Sequence, residues 1–115
     1  MIMDWVKAGE QAFSAYLDIC KGSGDYDEAL ESFESILSDR MDEAGIEENW
    51  GWAADLTADD LEKLFGEIAS QAKTLNSNEL TGPLHTALIG KIFEAEEIHG
   101  EEAIAKLEKI LSEFP

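Results

Sequence analysis

The groups that could carry acid–base, nucleophilic or metal chemistry are few in kind. Glu96 and His99 stand three residues apart, the spacing at which carboxylate-bridged di-metal bundles present ligands from one helix. Such a centre needs two of these pairs, and His85, the other histidine, has no glutamate three residues before it. The expected role of His99 is therefore a histidine near a helix end. Cys20 is the only cysteine, so no internal disulfide can form, and a reducing cytoplasm is the expected compartment. A nucleophilic thiolate needs a neighbouring cation or base, whereas Cys20 sits among Tyr16, Leu17 and Ile19, and a buried structural cysteine is expected. Asp25, Asp27 and Glu28 suggest calcium, but the alternating ligands, central glycine and closing glutamate of an EF-hand loop are missing. Carboxylate pairs of the glycosidase kind are too abundant to single one out. Phosphate loops, dinucleotide fingerprints and zinc spacings are absent. The expectation is a protein that is not an enzyme and holds neither metal nor cofactor.

What the chain has in abundance is carboxylate. Its 26 acids against eight cations give a formal charge of -18, beyond the magnitude of about 2–8 usual for a small domain. The residues between Lys21 and Lys63 hold fourteen of those acids and one cation, Arg40. A field this lopsided attracts basic protein surfaces and repels nucleic-acid phosphate and anionic membranes. Seventeen Glu against nine Asp, and seven Lys against one Arg, do not match an Asp-rich, Lys-poor halophile surface. Plain solubility is a second explanation of the charge.

These groups must be positioned by helices. An apolar share of 44% with ten aromatics implies a folded core, and no apolar run approaches the ~20 residues that span a bilayer. Met1–Val6 shows no basic region before an apolar stretch, so no leader is expected. Helical periodicity runs through almost the whole chain, without strand alternation. A first helix carries Trp5, Phe13, Tyr16 and Cys20 on a wide apolar face and stops at Gly22-Ser23-Gly24. A second begins near Asp25 or Asp27, with the stripe Ala29, Phe33, Leu37, Met41. Residues 45–56 read as the longest irregular stretch and contain Trp50 and Trp52. Thr57 caps a third helix along Leu61, Leu64, Phe65, Ile68 and Ala72. Asn76–Gly82 reads as a connector, with Pro83 in the first turn of a fourth helix ending at His99-Gly100. A fifth carries Ile104, Leu107 and Leu111 inward. The expected fold, over residues 1–115 as one acidic domain, is all-α: about five antiparallel helices in a compact bundle or a short stack of helical hairpins.

Gly24, Tyr26, Ala29 and Phe33, followed by Leu37, resemble the second helix of a tetratricopeptide repeat. In that family a glycine turn, two aromatics and a small alanine lock paired helices together. Phe13 falls where the family's first-helix tryptophan stands; Leu17 and Cys20 depart from its small residue and tyrosine. The resemblance covers residues 12–41 and, weakly, 100–115, where Ala103, Leu107, Ile110, Leu111 and Pro115 keep the second-helix spacing. It implies stacked helical hairpins and a protein-binding role.

Acids flank the tryptophans, most of them beyond what helix starts use, Asp60 being expected to serve the start of the third helix as well. Asp39, Asp42, Glu43, Glu47 and Glu48 precede Trp50 and Trp52; Asp55, Asp59 and Asp60 follow them. DNA carries about one negative charge per 1.7 Å of axis, so rows of carboxylates can imitate it to a DNA-binding protein. An aromatic anchor within such a ridge has the make-up of an interface hot spot. These ten residues are the expected contact surface for a basic protein, such as a nuclease or a DNA/RNA-binding complex. The expected function is a non-catalytic inhibitor or neutraliser of that partner, of the kind found among immunity proteins and phage anti-defence proteins. The alternative is a helical adaptor whose groove takes a partner segment. Direct nucleic-acid or membrane binding is not expected, and a homodimer through the first helix stays open.

Overall fold

Four of the long helices start where a side chain accepts their first free N–H groups. In a computed structural model that describes residues 3–115, the Asp4 carboxylate accepts from Lys7 and opens α1 (Trp5–Gly22). Asp25 accepts from Asp27 and Glu28 and opens α2 (Tyr26–Glu43). One turn, α3 (Trp52–Asp55), breaks the stretch expected to be irregular. Thr57 caps α4 (Ala58–Leu75) through the Asp60 N–H, as its spacing predicts. Ser77 opens α5 (Asn78–Glu94), and α6 (Glu96–His99) and α7 (Glu101–Leu111) follow, separated by Gly100. Met1 and Ile2, and with them part of the segment expected to lack a leader, lie outside the described residues.

The result is all-α, with five helices of real length and two single turns. Consecutive long helices reverse direction across short turns: Gly24 at φ +75° between α1 and α2, and Asn76 at φ 52° after α4. In contrast, α1 and α4 run the same way. Gly9, early in α1, lies against Leu64 and Glu67, and Tyr16, late in α1, reaches Leu80 beyond the end of α4. The reversal in α2 makes this parallel pair possible, and the segment 44–57 joins the end of α2 to the start of α4. At Gly9 the helices approach so closely that a Cβ would sit 2.9 Å from the Leu64 carbonyl oxygen.

α1 packs on α2 and on α4, α7 covers α4 and α5, and α3 bridges α2 to α5. The stripes of the sequence become one core, with Phe13, Phe33, Leu37, Leu64, Phe65 and Leu107 all buried. Each large apolar side chain so buried stabilises the fold by roughly 1.5–3 kcal/mol.

The start of α5 departs from expectation. The helix begins at Asn78 rather than at Thr81 or Gly82, which leaves Pro83 inside it. An interior proline removes the N–H that the Glu79 carbonyl would accept and crowds that carbonyl. The Tyr26 hydroxyl compensates, donating to Glu79 O at 3.1 Å, and beside it the Tyr16 hydroxyl donates to Leu80 O at 2.5 Å. Burial pushes the Tyr16 phenol well above its ordinary pKa, with the Cys20 thiol beside it adding to the effect. Two tyrosines thus tie the opening of α5 to the first hairpin. The expected fourth helix is also divided, α5 stopping at Glu94 and α6 turning His99 inward.

Candidate functional site

The site begins with one carboxylate. Asp55, in the single turn of α3, accepts three successive backbone N–H groups through Oδ2, from Asn49 (2.6 Å), Trp50 (2.9 Å) and Gly51 (3.2 Å). Charge-assisted bonds of this kind are stronger than neutral ones, and together they cinch the loop into a fixed turn. Gly51 sits within that turn at φ +112°, a conformation that side-chain-bearing residues rarely adopt. Asp55 therefore serves the loop rather than the outer surface, which departs from its expected place in a partner-facing ridge.

The same turn sends the two tryptophans in opposite directions. Trp52 is 2% exposed. Its ring meets Phe33 and Phe65 edge-on, with centroids 6.2 Å and 5.8 Å away, and its Nε1–H donates to Glu34 Oε2 at 3.3 Å. It belongs to the core, so its expected role as a contact residue is corrected to that of a wall beneath the site. Trp50, in contrast, is 81% exposed.

Beside Trp50 lies a cleft of ≈ 650 Å³ between the loop and the junction of α5 and α6. On the loop side stand Glu48, Trp50 and Ala54; opposite them stand Lys91, Glu94, Glu97 and Ile98, with Trp52, Ala53 and Ala95 at the base. Ile98 is 53% exposed, and Phe93, just outside the cleft, is 50% exposed. His99 secures this wall: its Nε2 lies 2.8 Å from the Ala53 carbonyl oxygen. A carbonyl only accepts, so Nε2 carries the proton of that bond. The histidine is a fastener between α6 and α3, not a surface group.

The remaining acids divide by partner. Glu43 takes Arg40 with both oxygens, at 3.2 Å and 2.9 Å, and Glu48 accepts from the Ser38 hydroxyl at 3.0 Å. Asp39, Asp42, Glu47 and Asp59 are exposed and make no hydrogen bond or ion pair among the described residues. Asp60 is half-buried in the first turn of α4, where its charge favours the helix dipole. Because α1 and α4 are parallel while α2 reverses, the end of α2 and the start of α4 lie at the same end of the molecule. The outward face of α2 adds Glu28 and Glu31 to Asp39 and Asp42, all exposed. At 1.5 Å per residue that row is about 20 Å long.

The α5–α6 side of the cleft was not foreseen. Its signal in the sequence is that α5 is apolar on more than one face: Leu84, Leu88 and Ile92 make the buried stripe, and Phe93 falls off it. Among the described residues, no group of three His, Cys, Asp or Glu is placed to hold a metal ion, and no helix is long and apolar enough to cross a membrane. Comparisons of the chain with protein-family models, with curated proteins and with solved structures give no match.

Proposed function

We propose that this protein is a non-catalytic binder of a basic protein surface, and that it inhibits or neutralises a nucleic-acid-handling partner by covering that surface. The observation that carries the reading is the placement of Trp50: an 81% exposed indole held by Asp55 at the edge of a cleft with a mainly acidic rim. Exposed acids at the end of α2 and the start of α4 supply long-range attraction, and the tryptophan supplies short-range hold. Attraction of this kind weakens once the Debye length falls to about 10 Å near 0.1 M salt. A second reading, a helical adaptor, draws on the half-buried Leu30, which lies over the closed apolar seam of Phe33, Leu84 and Leu88 between α2 and α5.

Capture of partners from the native cell at low and high salt separates the two. The first reading expects a basic partner that is lost at high salt and lost on converting Asp59 and Asp60 to Lys. Capture unaffected by both treatments would sink it. The adaptor reading expects salt tolerance and sensitivity to Leu30→Glu instead.

A further inference from the structure

The cleft beside Trp50 has the chemistry to recognise one kind of side chain. Four carboxylates, from Glu34, Glu48, Glu94 and Glu97, border it against one cation, Lys91. Lys91 is already shared, its Nζ 3.9 Å from Glu34 Oε2 and 4.0 Å from Glu94 Oε2. Glu97 makes no hydrogen bond or ion pair among the described residues, and its segment faces the Trp50 loop across the opening. The base is apolar and the two largest exposed walls, Trp50 and Ile98, are apolar too.

We propose that this cleft receives an arginine of the basic partner, carried beside an apolar residue, with the guanidinium stacked on Trp50 and bonded to Glu97 and Glu94. The proposal rests on the proposed function and names the group by which that surface is read. Arginine fits for two physical reasons. Its planar head stacks on an indole face while its N–H groups still point outward to separate carboxylates, which a compact ammonium cannot do as well. It is also less tightly hydrated than lysine, so entering a half-apolar cleft costs less. A second copy of this chain is a poor occupant, because each copy carries a net charge of -18 and would bring like charge to the rim.

The test measures binding of two synthetic peptides to the full chain by calorimetry: one alternating arginine with leucine, the other with lysine at every arginine position. Wild-type protein should bind the arginine peptide about tenfold more tightly, the scale of a partly desolvated cation–π contact. Trp50→Ala should erase that preference while lysine-peptide affinity changes little, and Glu97→Gln should lower arginine-peptide affinity several-fold. Reversing Asp59 and Asp60 to Lys should weaken both peptides alike, since the helix ends act through charge alone. Circular dichroism of Trp50→Ala confirms that its fold is retained. Equal affinity for the two peptides, or a preference that survives Trp50→Ala, overturns the arginine assignment and leaves the proposed function standing. Failure of both peptides to bind at low salt overturns the assignment together with the function beneath it.

Discussion

The packed side of the molecule, built by α1, α2 and α4, differs from the side where α3, α5 and α6 meet. On the packed side large apolar side chains are turned inward, Val6 excepted, and backbones approach as closely as Gly9 permits. On the other side Trp50 and Ile98 are left in solvent at one cleft, with Phe93 exposed just outside it. Scattered exposed apolar residues are ordinary; residues gathered around a concavity are what the proposed partner contact would use. Charge follows the same division. Acids near the cleft, Glu97 excepted, hold backbone, hydroxyl or lysine groups, while those on the outer face of α2 are free to act at a distance.

Trp52 is where the two sides join, so its loss should do the most damage. Trp52→Ala removes the contact between Phe33, Phe65 and the cleft base and should cost roughly 3–5 kcal/mol, read as a fall in the urea midpoint. A collapse of less than 1 kcal/mol would show that α3 is an appendage rather than a bridge.

Alkali tests the tyrosine tie. Tyr16 is held protonated when folded, above the ordinary value of 10.0 that it regains on unfolding. Its contribution is therefore complete below about pH 10 and falls as pH rises beyond that, because only the unfolded chain releases the proton there. Stability measured by urea at rising alkaline pH should decline, and Tyr16→Phe should remove part of the slope. Tyr26→Phe strips the hydroxyl from the Glu79 carbonyl and should cost about 1 kcal/mol, with faster amide exchange at the start of α5 as the local readout. Smallest of all is Trp50→Ala. An exposed ring contributes little to the core, so stability should stay within about 0.5 kcal/mol of the parent while partner capture fails.

Much of this architecture is legible in the residues themselves. Asp25 and Thr57 cap helices where their spacing places them, Gly24 and Gly100 turn the chain, and the apolar positions of α4 lie on the buried face. The expectation of an all-α fold of five main helices rests on that local chemistry. What escaped depends on distant partners. Pro83 reads as a helix start because nothing nearby announces that hydroxyls 53 and 64 residues away will serve the carbonyls around it. Trp50 and Trp52 are alike in sequence, and only the turn cinched by Asp55 separates them. Asp55 looked like one more surface acid, since its three backbone partners precede it and leave no periodic trace.

The proline within α5 also bears on the order of events as the chain folds. The carbonyl it strands, that of Glu79, belongs to a helix whose own residues cannot answer it, and the Tyr26 hydroxyl that does so, like the Tyr16 hydroxyl on Leu80, comes from a segment made earlier. Closing those long loops carries an entropic cost that the short turn between α1 and α2 avoids. The first hairpin can thus form on local contacts as it leaves the ribosome, and α5 has a waiting template when it emerges. The wall that carries Ile98 and Phe93 is then assembled after the first hairpin, onto a scaffold already in place.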